Sequence, residues 1–263
     1  MAIVLTVAAY LIGSISFAVL VSRAMGLPDP RTFGSKNPGA TNVLRTGRKA
    51  AAALTLLGDS AKGWLAVFLT DILFATAVPP VYKMSLVAVA VVVGHMYPVF
   101  YRFQGGKGVS TALGVLLALN GWLAAGAAAT WIIIAFFFRI SSLAALVAAV
   151  SAPFFCFLLY GVHPYTAAVG VIALLLIWRH KTNIRNLLAG TEGRIDEQRQ
   201  KSDSLPLDGG GAPERGAGTR LRDATVKAHN STRISGALHP AAGSHPSAGR
   251  RNPVPPSAGA GWG

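Results

Sequence analysis

Three polar islands interrupt an otherwise oily chain, and they hold most of the side chains capable of chemistry. The first is Gly34-Ser35-Lys36-Asn37-Pro38-Gly39-Ala40-Thr41-Asn42, with Arg45 just beyond it. The second is Gly105-Gly106-Lys107-Gly108, followed by Ser110 and Thr111. The third is His180-Lys181-Thr182-Asn183, with Gly190-Thr191-Glu192 close behind. Each supplies glycine backbone, hydroxyls, amides and cations, and almost no acid. Arginine forks, ammonium groups and free backbone N–H groups are the standard means of holding a phosphate.

The islands differ in how much they say alone. In the first, Pro38-Gly39 allows tight turns and close backbone approach to a ligand. Its density of Gly, amide and hydroxyl groups favours a functional loop over an ordinary connection. The second precedes an apolar run, so helix-start N–H groups, the helix dipole and Lys107 all favour an anion there. It is not a Walker A loop, because Tyr101 stands where the leading Gly belongs and Gly108 follows the lysine in place of Ser or Thr. A flexible turn carrying an inward-facing positive charge explains it equally well. Ser141-Ser142 follow Arg139 and read as helix caps. His180 and His95 each read first as satisfied structural histidines. Glu192 is the only acid near an island, so paired-carboxylate chemistry is excluded there. With no HExxH and no clustered His and Asp, no metal is expected. Cys156 is the single cysteine, so it forms no disulfide within the chain and reads as a small apolar helix residue.

The elements that must position these islands are membrane spans. Of 263 residues, 52% are apolar and only 13% are charged, about half the charge of a typical soluble domain. The apolar residues come in blocks at 2–21, 50–78, 84–100, 109–119, 122–138, 143–160 and 166–178. The first lacks a basic leader and a small-residue cleavage site, so it reads as a retained span. Spanning helices need about 20 residues, so the fourth block is short. Asn120-Gly121 argues for a break that keeps it separate from the fifth. Basic residues then decide the orientation. With seven spans, one side receives the basic loop at 23–49, Arg102, Lys107, Arg139 and the Arg179, Lys181, Arg185 cluster, while the other receives only Lys83. The expected architecture is an all-α integral membrane protein with seven transmembrane helices, N-terminus outside and C-terminus cytoplasmic. All three islands then share the cytoplasmic face. Asp59 and Lys62 lie three apart on one face of the second block and read as a structural ion pair, with substrate contact as the alternative.

Residues 1–193 carry fourteen Lys/Arg against four acids, and the remainder carries ten against six. From about Gln198 the chain is rich in Gly, Pro, Ser, Ala and Arg, without apolar period. Two regions are therefore expected: a membrane domain over 1–197 and a disordered basic low-complexity tail over 198–263. The tail suits contact with anionic membrane lipid. With Trp262 its only aromatic residue, it gives no support for nucleic-acid binding.

Taken together and in order, these blocks resemble the signature motifs of the bacterial membrane glycerol-3-phosphate acyltransferases that use acyl-phosphate (the PlsY type). The matching residues are Gly13-Ser14-Ile15, those at 34–45, Gly58-Asp59 with Lys62-Gly63, Gly94-His95 through Pro98, those at 105–111 and those at 180–192. The resemblance covers about residues 1–193. It implies a seven-helix enzyme of the bacterial inner membrane, with its site facing the cytoplasm. The implied reaction moves an acyl group from acyl-phosphate to the 1-hydroxyl of sn-glycerol 3-phosphate, giving lysophosphatidic acid and phosphate. It implies no cofactor and no metal, and an enzyme that supplies acyl-phosphate as a partner. It implies catalytic roles for Ser35, Arg45, Lys107, Ser142, His180 and Asn183. Asn37, Gly39, Thr41, Asn42, Gly105, Gly106, Gly108, Thr111 and Glu192 are expected to contact substrate. In that family the substrate's own phosphate is thought to assist deprotonation. Three positions depart from the family pattern: Lys36 replaces a usual Gly, Ser16 a usual Pro and Asn186 a usual Arg. A transporter or flippase for a phosphorylated solute is the competing reading, favoured by the buried charges and glycine-broken helices. A lipid-binding scaffold without turnover is the third.

Overall fold

The structure, a computed structural model, describes residues 2–73 and 80–195. The expected tail at 198–263 lies outside the described residues, as does the end of the second apolar block. Among the described residues the elements are α-helices plus one 3-10 turn at Val99–Tyr101. The helices are α1 (Ala2–Gly13), α2 (Phe17–Ala24), α3 (Ala40–Leu44), α4 (Lys49–Leu73), α5 (Pro80–Met96), α6 (Val109–Leu119), α7 (Gly121–Phe138), α8 (Ser141–Tyr160), α9 (Pro164–Arg179) and α10 (Lys181–Leu188).

Five stretches are long and apolar enough to cross a bilayer, with α1 and α2 counted as one. Helices α9 and α10, bent by 60° at His180, make a sixth if taken together. Helix α6 is apolar but has only 11 residues, about 16 Å at 1.5 Å per residue. That is half of a hydrocarbon core, so α6 does not by itself meet the length of a span. Asn120 separates it from α7 as expected. Its side-chain oxygen accepts from the N–H groups of Trp122 (2.8 Å) and Leu123 (3.3 Å), which caps α7. Its amide donates to Tyr160 Oη at the far end of α8 (3.1 Å).

The first apolar block, expected as one helix, is broken at residues 14–16. The break is tied down from outside: Lys62 Nζ on α4 donates to the Ile15 carbonyl (2.6 Å). Lys62 also pairs with Asp59 at 2.8 Å, and both side chains are buried. The ion pair expected from their spacing is therefore present, and the lysine satisfies a carbonyl freed by the break.

Helices α4 and α6 cross closely because small residues face each other. A Cβ on Gly114 would run into the Ser60 carbonyl, and one on Gly63 into that of Thr111. Close backbone approach of this kind is how helices associate where lipid removes the hydrophobic drive. The core lies between α5, α6 and α9, where Val87, Val91, Val92, Met96 and Val115 are fully buried. The outward surface is apolar instead: Phe136 and Phe137 of α7 are 73% and 71% exposed. An exposed apolar surface of that extent suits lipid rather than water.

Candidate active site

The three islands meet at one end of the bundle, where a chain of short hydrogen bonds joins the second and third. Lys107 Nζ donates to Asn183 Oδ1 (2.6 Å). Asn183 Nδ2 donates to Glu192 Oε1 (2.6 Å), and Ser142 Oγ donates to the same oxygen (2.6 Å). The amide is thus oriented by chemistry: its oxygen faces a cation and its NH2 a carboxylate. Thr41 joins from the first island, with its hydroxyl 3.3 Å from that of Ser141. Ser142 does not cap α8 as its position suggested. The N-cap is Ile140, without a side-chain bond; Ser142 lies inside the first turn, and its hydroxyl is committed to Glu192. Glu192 itself is positioned to orient Ser142 and Asn183.

The first island is built around Asn42, which is buried. Its Nδ2 donates to the carbonyls of Pro30 (2.7 Å) and Phe33 (3.2 Å), and its Oδ1 accepts from the Ser35 N–H (3.0 Å). Asn42, an expected substrate contact, lines the slot, and its amide is used inside the loop, fixing where Ser35 sits. Arg45 follows as the C-cap of α3. Its Nε is buried and has no hydrogen-bond partner among the described residues. Burial holds its pKa below the usual guanidinium range, opposed by the Glu192 carboxylate. A buried, unpaired guanidinium N–H is costly unless an anion completes it.

The second island wraps onto His95. The Gly106 N–H donates to the His95 carbonyl (3.1 Å), and a Cβ on Gly106 would collide with His95 Nε2. His95 Nδ1 stands 3.1 Å from Thr111 Oγ1 and 3.5 Å from Asp59 Oδ1. His95 is therefore a polar support for the loop, beyond simple packing. Thr111, expected at the substrate, is fully buried and turned towards His95. Gly108 has φ +87° and caps α6, a conformation that an L side chain rarely takes. The loop's outer side is held by Arg179, which sequence reasoning counted only as a charge. Its guanidinium donates to the carbonyls of Gly105 (2.8 Å) and Gly106 (3.1 and 3.2 Å) and lies over the Tyr97 ring. Only its position at the end of an apolar helix, 73 residues from Gly106, signalled it.

Burial lowers the Lys107 pKa to about 8, helped by nearby Arg179 and Arg45 and opposed by Glu192. Lys107 remains a cation at neutral pH but sheds its proton easily. Burial first, and Lys107 second, lower His180 to about 4. The neutral ring places Nδ1 2.7 Å from the Leu176 carbonyl. Nδ1–H is therefore the donor and Nε2 the free acceptor.

Two hollows meet at this end. One is a polar cleft of about 620 Å³ that carries Lys36, Arg179, Lys181 and Asn186. The other is a slot of about 520 Å³ with Arg45, Ser142, His180 and Glu192 at its polar end. Gly39, Thr41 and Gly108 line the slot, and Gly105 lines the cleft. Beyond its polar end the slot runs between α4, α6, α7, α8 and α9. Ala145, Ala148, Ala149 and Ala152 of α8 keep it open, since larger side chains on that face would fill it. Ser35, Asn37, Lys107 and Asn183 line both hollows. Among the described residues, no three His, Cys, Asp or Glu side chains converge to hold a metal ion.

Fold and site together define a helical membrane protein with a cationic, hydroxyl-rich end that opens into an apolar slot. The glycerol-3-phosphate acyltransferase family model matches residues 3–190. The glycerol-3-phosphate acyltransferase of Ralstonia nicotianae is 62% identical over 198 residues, which cover 75% of this chain and 96% of that one. The crystal structure of PlsY (YgiH), an integral membrane glycerol 3-phosphate acyltransferase, in its glycerol 3-phosphate form is similar at TM-score 0.68. It is 38% identical, over 73% of this chain and 94% of that one. Its lysophosphatidic acid form gives TM-score 0.67 and 37% identity over the same shares. The chain belongs to the glycerol-3-phosphate acyltransferase family.

Proposed function

We propose that this protein transfers a fatty acyl group from acyl-phosphate to the 1-hydroxyl of sn-glycerol 3-phosphate, releasing lysophosphatidic acid and phosphate. One observation carries the reading: a cationic cleft and an apolar slot share Ser35, Asn37, Lys107 and Asn183. A polar phosphate acceptor and a hydrocarbon donor need that junction. The structural relatives in glycerol 3-phosphate and lysophosphatidic acid forms agree with substrate and product.

Glycerol 3-phosphate occupies the cleft and the acyl chain the slot, with the donor's carbonyl and phosphate at the junction. Lys107 and the unpaired Nε of Arg45 neutralise the two phosphates, whose repulsion otherwise opposes their approach. Ser35, Ser142 and Asn183 orient the donor. The acceptor hydroxyl oxygen attacks the carbonyl carbon, the carbon–oxygen bond to phosphate breaks, and phosphate leaves with the electron pair. The hydroxyl proton passes to a phosphate oxygen. His180, held near 4, is a weaker base than a phosphate monoester with second pKa about 6, so it serves as a hydrogen-bond partner through Nε2.

The proposed topology has seven crossings, with the N-terminus outside and the site facing the cytoplasm of a bacterial inner membrane. The basic-residue count supports it. So does the path of α6, which leads from the Lys107 loop at the site to Asn120, bonded to the far end of α8. Residues 1–197 are the catalytic domain. An acyl-phosphate-producing enzyme supplies the donor. A transporter is not favoured, because the polar contacts gather at one end of the helices rather than at mid-depth.

Purified protein in detergent, given palmitoyl phosphate and sn-glycerol 3-phosphate, should release phosphate and form lysophosphatidic acid in equal amounts. No product at any donor chain length would overturn the reaction. Product from acyl-CoA but not from acyl-phosphate would overturn the donor.

A further inference from the structure

Lys36 lies in the left-handed backbone region, at φ +55°. Few residues other than Gly, Asn and Asp adopt it, because Cβ crowds the backbone there. The strain is not relieved locally by any side-chain bond of Lys36 among the described residues. Its N–H closes a turn onto the Phe33 carbonyl (2.9 Å), a bond that glycine would make equally well. Strained backbone persists at ligand clamps, where function retains it.

The side chain's location gives that function. Lys36 lines the polar cleft beside Lys107, Arg179 and Lys181, and among the described residues no acid lines it. A concave surface with charge of one sign focuses its field and raises the local concentration of the opposite ion. Three of the four cations are already engaged: Lys107 with Asn183, Arg179 with the Gly105 and Gly106 carbonyls, and Lys181 over the Trp178 ring at 5.1 Å. Of the four, Lys36 alone has no partner among the described residues. It is also exposed, one residue after the junction residue Ser35.

We propose that Lys36 is a capture residue for the soluble phosphorylated acceptor, drawing its phosphate into the cleft and fixing the acceptor's affinity rather than the rate of chemistry. The inference rests on the cleft being the glycerol phosphate site. An exposed charge pair contributes up to about 1 kcal/mol, about fivefold in affinity.

The test measures steady-state kinetics of the full-length protein against both substrates at low and high salt, for wild type, Lys36→Gly and Lys36→Arg. In Lys36→Gly, KM for glycerol 3-phosphate should rise about fivefold, with kcat and the KM for acyl-phosphate unchanged. The fall of kcat/KM with salt should become shallower. Lys36→Arg should restore both wild-type values. The glycine variant should melt no lower than wild type, since it removes left-handed strain, which separates lost capture from lost folding. An unchanged KM for the acceptor in Lys36→Gly, or an equal loss in kcat, would overturn the proposal. A wild-type protein without turnover would instead refute the reaction itself.

Discussion

Lys107 and Arg45 show how burial sharpens a phosphate site one side chain at a time. Both are partly removed from water, and the Arg45 Nε has no partner among the described residues. Replacing either by Ala should lower kcat/KM by at least about a hundredfold, as for other preorganised charge-stabilising donors, while the protein still purifies as a folded monodisperse species. Near-normal rates would remove that residue from the site. The Lys107 value of about 8 also sets a pH dependence. Its cation is present below that value and lost as pH rises through it, so kcat/KM should fall on an alkaline limb near pH 8. Lys107→Arg should move that limb out of range, because guanidinium does not deprotonate there. An acid limb at about pH 6 should follow the substrate's own phosphate, since His180 is already neutral there; removing the His180 ring should therefore leave its position unchanged. At this scale the sequence was most legible where the residue's own chemistry decides, as at Lys107 and Arg45. It was least legible where a distant partner decides. Ser142 looked like a cap but is claimed by Glu192, 50 residues away. Thr111 looked like an anion ligand but turns to His95. Arg179 passed as one more inside charge because its partners are backbone carbonyls, which carry no side-chain signature.

Helix boundaries were readable wherever a local signal set them. Helix α6 ends where the apolar block ends, and Asn120 caps α7 as its side chain dictates. The break at residues 14–16 was not readable, because it is held by Lys62 from another helix. That ion pair gives a prediction for α4. Lys62→Met leaves Asp59 buried without its cation and frees the Ile15 carbonyl, so it should destabilise the protein by about 3–5 kcal/mol. Adding Asp59→Asn should recover part of that loss, read from thermal unfolding in detergent. Full stability of Lys62→Met would show the pair to be dispensable. Helix α8 gives another. Its alanine face keeps the slot open, so Ala149→Phe should fill the slot midway. Turnover of palmitoyl phosphate should fall by more than tenfold, while a short donor such as butyryl phosphate is still used. Equal loss with both donors would place the chain elsewhere.

The molecule as a whole divides its work by region. The family match ends at residue 190, and the described contacts of the site end with Glu192. Truncation after Glu197 should therefore leave kcat and both KM values within about twofold of the full chain. Loss of turnover in well-folded truncated protein would give the tail a catalytic part. The one-ended site has a consequence for the bilayer around it. If water-soluble glycerol phosphate enters the cleft and the product keeps its chain in the slot, every turnover adds mass to a single leaflet. That leaflet gains area while its opposite does not, and the mismatch stores bending stress that grows with each cycle. Steady growth of such a membrane then requires a separate machine to carry lipid across, at a rate matched to this enzyme's output.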